Sequence, residues 1–233
     1  MATGGIITTL AHVSRTALLA GSTGLVGSHV LRVLLADRAW TRVVTFGRRP
    51  TPEQQEKLEQ RIVDFGALEA LADLPRGDDV FCCLGTTIKR AGSQEEFRRV
   101  DFDYVVGFAR AGLRAGATQL LLVSAIGADP FARVFYGRVK GEVEATVRAL
   151  PYRGIQIFRP SLLLGERSEF RLGERVAMML SSPVLTQGLV GRWRRYRPIA
   201  AATVARAMAQ IAKEAPRGPN VFEYDAIVAA GAS

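Results

Sequence analysis

Apolar residues run continuously through several short segments of this chain, and between those segments they recur every three or four positions. Thr16 to Ala20 is the first continuous run and ends at Gly21; from Leu25 to Leu35 the spacing of Leu25, Val26, Val30, Val33 and Leu34 is helical. A strand, a glycine turn and a helix are predicted. Arg42 to Phe46 is a β-branched second strand that Gly47-Arg48-Arg49-Pro50 stops. Arg61 to Val63 and Asp79 to Leu84 predict two more strands, closing at Asp64 and Gly85. Gln94 to Ala115 reads as a helix, with Phe97, Val100, Tyr104, Val105 and Phe108 on one side and Gly116 placed to end it. Gln119 to Ser124 is the fifth strand, Ala132 to Leu150 a long helix facing inward through Phe135, Val139, Val143, Thr146 and Leu150, and Gly154 to Phe158 the sixth strand.

Strands that alternate with helices and are apolar throughout belong to a parallel sheet covered on both faces, so the fold class is α/β, doubly wound. After Pro160 the regularity breaks down. A helical segment around Arg171 to Leu180, a helix from Ala202 to Ala212 and a strand near Val221 to Tyr224 are predicted. With 233 residues and no repeat or linker, the expectation is a single domain over 1–233. Residues 1–15 form a lead-in, and 162–198 with 219–233 form a small C-terminal substrate lobe.

Gly21-Ser22-Thr23-Gly24-Leu25-Val26-Gly27 lies between the first strand and the first helix. One glycine permits a tight turn, a second lets backbone approach a pyrophosphate, a third lets helix and strand pack closely, and the helix N-terminus favours an anion. Dinucleotide binding is the expectation. A site selecting NAD would place an acidic residue at the end of the second strand, where this chain has Arg48 and Arg49. Two guanidinium groups suit a 2′-phosphate, so the predicted cofactor is NADP, with NADPH preferred over NADH. Asp64 and Phe65 after the third strand, and Leu84, Gly85 and Thr86 after the fourth, complete the predicted cofactor contacts.

Ser124 stands at the end of the fifth strand, and Tyr136 and Lys140 lie one turn apart on the helix that follows. Five Tyr and four Lys in 233 residues give roughly 0.09 such Tyr-x-x-x-Lys pairs by chance, so the placement of this one beside Ser124 carries information. A phenol is a poor acid or base at neutral pH, and a nearby ammonium stabilises its phenolate. Tyr136 is the expected acid-base, Lys140 the cation beside it, and Ser124 the group that holds a substrate carbonyl by a hydrogen bond.

The formal charge of +9 raises the prospect of nucleic acid, but the arginines are spread along the chain and no recognition motif accompanies them. The densest cluster, Arg192-Trp193-Arg194-Arg195-Tyr196-Arg197, reads as a solvated rim, and no specific nucleic-acid partner is expected. Cys82 and Cys83 are adjacent inside an apolar run, which suits strand filling rather than a disulfide or a metal site. No apolar run approaches the roughly 20 residues of a membrane span. Without a basic lead or cleavage pattern before Leu10, a cytoplasmic protein is expected.

Together these residues resemble the short-chain dehydrogenase/reductase superfamily of NAD(P)-binding Rossmann-fold proteins. Cys83-Leu84-Gly85-Thr86-Thr87, Val123-Ser124-Ala125-Ile126-Gly127-Ala128 and Val139-Lys140-Gly141-Glu142-Val143-Glu144 are similar to its atypical branch, which contains the Tat-interacting tumour-suppressor proteins and bacterial relatives. The likeness runs from about Thr16 to Ala212. It implies NADP at the glycine loop and Arg48, Lys140 on the ribose, and Pro160 with backbone near Leu163 at the nicotinamide. Asp101 stands where many active members carry Asn, and the short C-terminal lobe argues against a sugar-nucleotide epimerase. The function implied is NADP-dependent hydride transfer to or from a small carbonyl or alcohol, by a monomer or homodimer. The alternatives are an NADPH-binding regulatory or scaffold protein without turnover, and an accessory factor on an acidic membrane or RNA surface through the Arg192 to Arg197 cluster.

Overall fold

The computed structural model describes residues 14–165 and 189–232. Seven parallel strands form the central sheet: β1 (Arg15–Ala20), β2 (Trp40–Gly47), β3 (Leu58–Ile62), β4 (Asp79–Cys82), β5 (Gln119–Val123), β6 (Gly154–Phe158) and, after a two-stranded interruption, β9 (Gly218–Phe222). Their order is β3-β2-β1-β4-β5-β6-β9. The order reverses between β1 and β4, and a crevice opens beyond the carboxyl ends of the strands at such a reversal.

Continuous apolarity in the strands has the cause the sequence suggests. Successive side chains alternate between two faces, and each face has its own core. Ala17, Leu19, Val43, Phe81, Leu121 and Phe158 face α1 (Leu25–Ala36) and α6 (Ala201–Glu214). Leu18, Ala20, Val44, Phe46, Val80, Leu120 and Leu122 face α4 (Tyr104–Arg114) and α5 (Phe135–Arg148). Each fully buried Leu, Val or Phe contributes about 1.5–3 kcal/mol.

The predicted helix from Gln94 to Ala115 is α3 (Gln94–Arg98), a π-helical turn (Arg99–Asp103) and α4 in continuous succession. Ser93 starts it by accepting a hydrogen bond from the Glu96 amide at 3.0 Å. The predicted helix from Ala132 begins at Phe135, because Ala132 closes a turn onto the Asp129 carbonyl and Val134 is extended; Val147 takes the buried place expected of Thr146. The third strand starts at Leu58, three residues earlier than predicted. It is a polar edge strand whose pairing with Val43 to Gly47 leaves no mark in the hydrophobic pattern.

The strand expected near Val221 to Tyr224 is β9, paired with β6, and Tyr224 opens a last helix, α7 (Tyr224–Gly231), on α6. Residues 218–222 therefore belong to the main sheet. A short parallel pair, β7 (Leu163–Leu164) with β8 (Ile199–Ala200), joins the chain after β6 to the start of α6. The helix expected around Arg171 to Leu180, most of the expected 162–198 lobe and nearly all of the lead-in lie outside the described residues. Among the described residues no helix is long and apolar enough to cross a membrane.

Candidate active site

A cleft of about 510 Å³ opens at the carboxyl ends of β1, β2, β4 and β5. Gly21 and Gly27 build its floor. Gly21 adopts φ +84°, and a Cβ there would fall 2.4 Å from the Cys83 carbonyl oxygen; at Gly27 it would fall 2.0 Å from the Gly21 oxygen. The glycines therefore let β1, β4 and α1 meet closely, as the motif requires. The Gly24 amide closes the turn on Gly21 O at 2.8 Å. No side chain caps α1, and its first turn carries no acidic residue. Uncapped amides at the positive end of a 12-residue helix, with Gly24, Leu25 and Val26 lining the cleft, suit a pyrophosphate.

Around this floor the cleft gathers Ser22, Thr23, Arg48, Arg49, Phe65, Leu84, Gly85, Thr86, Ser124, Tyr136, Lys140 and Leu163. Three expected contacts are not in its lining. Gly27 packs behind the turn, Pro160 lies outside, and Asp64 accepts the Gly66 amide at 2.9 Å as the cap of a 3-10 turn (Phe65–Ala70). The lining also contains Thr87, at the end of the Cys83 to Thr87 motif, and Arg90, Glu96 and Tyr104, which no sequence motif marks.

Lys140 Nζ lies 2.7 Å from Asp101 Oδ1 with both side chains buried, and Asp101 Oδ2 accepts the Thr86 amide at 2.8 Å. Asp101 reaches this place from the π-helical turn. It sits four residues after Phe97 and four before Val105, on the buried stripe, which is the sequence signal for it. A Cβ on Gly85 would stand 3.4 Å from Asp101 Oδ1, in ordinary contact, so Gly85 borders the pair directly. Burial disfavours the Lys140 ammonium, but Asp101 and Tyr136 outweigh it and hold the pKa above its ordinary value. Tyr136 packs its ring 5.5 Å from that of Phe97, on the same helix as Lys140. Lys140 is thus shared between Tyr136 and Asp101, where the sequence suggested a cation devoted to tyrosine and ribose.

Ser124 is tied to the end of β6 by its amide, which donates to Phe158 O at 2.7 Å. Its hydroxyl is bonded to the buried Glu144, Oγ to Oε1 at 2.6 Å. Arg159 in turn donates to both Glu144 oxygens, at 2.6 Å from Nη2 and 2.9 and 3.2 Å from Nε. The sequence reading missed Glu144. Its signal is the spacing Tyr136, Lys140, Glu144, a charged residue continuing one face of α5 between Val143 and Val147.

With this geometry in hand, kinship follows. The sequence pattern described as NAD dependent epimerase/dehydratase family matches residues 17–126, from the glycine turn through Ser124. Protein HTATIP2 of Rattus norvegicus is 35% identical over 199 residues, which cover 84% of this chain and 80% of that protein. The chain belongs to the NAD dependent epimerase/dehydratase family, among HTATIP2-like members. Protein fmp52, mitochondrial, of Emericella nidulans is 37% identical over 167 residues, 68% of this chain and 71% of its own length. Among solved structures, a UDP-N-acetylglucosamine 4-epimerase from Methanobrevibacter ruminantium in complex with UDP-N-acetylmuramic acid superposes with a TM-score of 0.67 at 15% identity, over 90% of this chain and 76% of that one. That likeness establishes the Rossmann-type fold alone. The expectation of a cytoplasmic protein is overturned by the fungal relatives, which are named mitochondrial proteins.

Two further features of this family member are structural. Burial pushes the Cys82 thiol up to about 12, keeping it protonated as strand filling. In the basic cluster Arg194 pairs with Asp225 at 2.8 Å, Arg195 with Glu223 at 3.3 Å, and Arg197 donates to Leu189 O at 2.9 Å. Much of its charge is spent within the fold.

Proposed function

We propose that this protein is an NADP-dependent oxidoreductase that interconverts a small carbonyl compound and its alcohol. The observation that carries the reading is the gathering of Tyr136, Lys140 and Ser124 into one cleft with the uncapped glycine turn and Arg48 and Arg49. A bound nicotinamide dinucleotide would supply or accept the hydride. Arg48 and Arg49 would pair with its 2′-phosphate, and the first amides of α1 with its pyrophosphate. The Tyr136 hydroxyl exchanges the proton of the substrate oxygen, with the Lys140 ammonium one turn along the same helix binding ribose. Asp101 keeps that ammonium charged and in place. The location supported by the names of the fungal relatives is mitochondrial.

A second reading, an NADPH-binding regulatory protein without turnover, draws on the same ion pair, since a carboxylate opposite Lys140 offsets the charge offered to Tyr136. Fluorescence titration with NADPH and with NADH tests what both readings share. Saturable binding with NADPH preferred by about tenfold or more is expected, and binding of neither would overturn both. Turnover of a panel of aldehydes and ketones by wild type and not by Tyr136→Phe supports the enzyme; turnover by neither, alongside tight NADPH binding, supports the regulator.

A further inference from the structure

Glu144 is a buried acid that the proposed chemistry leaves unused, and it determines what Ser124 can do. A carboxylate is an acceptor only. Arg159, the residue after β6, donates to both oxygens of Glu144, and Arg148 on α5 approaches Oε2 at 3.6 Å, so guanidinium groups engage both oxygens as acceptors. The 2.6 Å contact between Ser124 and Glu144 must then be a hydrogen bond in which the serine donates. A hydroxyl has one proton. Once Glu144 holds it, Ser124 presents lone pairs alone to the cleft that it lines with Tyr136 and Lys140.

We propose that Glu144, held by Arg159, is a positioning residue that turns the Ser124 proton away from the cleft, so that Ser124 accepts from its substrate and the site takes a ligand presenting an O–H there, an alcohol. This rests on the oxidoreductase reading for the substrate class, but not for the direction of the hydrogen bond. A bare ketone would face an acceptor and have to draw its donor from Tyr136 alone. An alcohol donates its O–H hydrogen bond to Ser124 or to Tyr136, and the site holds it without rearrangement. The pair also joins α5 to the end of β6, immediately before Pro160, so the catalytic helix and the chain leading to Leu163 share one anchor.

The direction of the bond is testable without a substrate. A thiol replaces the hydroxyl in Ser124→Cys, and its ionisation is followed by the 13Cβ resonance of labelled cysteine, in the single variant and with Glu144→Gln. The charged groups around it are Glu144, Lys140 and Arg148 on α5, Arg159 just after β6 and Asp101 on the π-helical turn; the second substitution changes only the first. With Glu144 as an anionic acceptor, the Ser124→Cys midpoint stands above the roughly 8.5 of a free thiol and falls by about one unit or more in Ser124→Cys/Glu144→Gln. An unchanged midpoint, or one that rises in the double variant, would overturn the proposal. Near-UV circular dichroism verifies that both variants are folded. The substrate class is read with cyclohexanol and cyclohexanone on protein saturated with tetrahydro-NADP, an NADPH analogue that cannot give up a hydride, so that the ketone is retained and not reduced. Wild type is expected to retain the alcohol more strongly, and Glu144→Gln to shift the ratio at least about threefold toward the ketone. An unshifted ratio, or retention of neither, would sink the substrate part. Failure of NADPH to bind would overturn the oxidoreductase reading and leave the thiol result standing.

Discussion

Lys140 and Asp101 form a buried ion pair, Nζ to Oδ1 at 2.7 Å, with side-chain exposures of 5% and 0%. Removing one partner strands the other charge in a site with little water, which costs about 3–5 kcal/mol. Asp101→Ala is therefore expected to lower the denaturation midpoint markedly, while Asp101→Asn, which keeps the volume and can still accept the Thr86 amide, loses less. Urea unfolding of the two variants measures the difference.

The same pair makes stability depend on pH at the alkaline end. Lys140 is held above its ordinary 10.5, burial opposing and Asp101 and Tyr136 prevailing. A raised pKa in the folded state means that the stabilisation is complete below 10.5 and is lost as pH rises through the folded value. Unfolding curves between about pH 9 and about pH 12 should fall more steeply for wild type than for Lys140→Met. Parallel curves would show that the pair contributes nothing to the pH dependence.

Tyr136→Phe keeps the ring against Phe97 and deletes only the hydroxyl. Turnover is expected to drop by about 100-fold or more, with NADPH affinity changed no more than a few fold. Steady-state kinetics and a fluorescence titration on one preparation separate the two effects.

Replacing Arg48 and Arg49 together by Ala should weaken NADPH by about 10- to 100-fold and leave NADH nearly untouched, since a charge-assisted hydrogen bond contributes about 1.5–3 kcal/mol. Equal losses for both dinucleotides would place the arginines away from the 2′-phosphate.

Asp79 lies at the opposite end of the sheet and ties three elements to one carboxylate. It accepts from Arg15 at 2.5 Å, from the Trp40 indole at 2.8 Å and from Gln119 at 2.9 Å, and Arg15 and Gln119 also reach the Ala212 carbonyl on α6. Asp79→Ala leaves buried donors unsatisfied and is expected to lower Tm by about 10 °C, read by calorimetry, with NADPH affinity unchanged in the remaining folded protein.

Much of this architecture is legible in the chain because each central strand is buried on two faces, and apolar residues therefore fill most of its positions. Gly154 to Phe158 is predicted to the residue for that reason, although the buried Gln156 stands inside it and donates to Pro216 O. The edge strand at Leu58 is not, since Glu59, Gln60 and Arg61 follow no burial pattern. The candidate site divides in the same way. Gly21, Tyr136 and Lys140 announce themselves through spacing tied to one turn or one helix. Asp101 and Glu144 act through partners 39 and 20 positions away in the chain, at Lys140 and Ser124, and only the packing of α5 against its neighbours brings them there. The proton of Ser124 illustrates the limit: the residue type was readable, but the direction of its hydrogen bond depends on an acid in another element.

The small β7–β8 pair has a consequence for the rigidity of the cleft. Leu163 and Leu164 lie beside Ile199 and Ala200, so the chain departs from the sheet and re-enters it at one stitched point. Leu163 lines the cleft, and Ile199 is buried in the core that α1 and α6 share, so this wall is bonded to the same core as the helix behind the glycine turn. The pair acts as a rivet between one wall of the cleft and its scaffold.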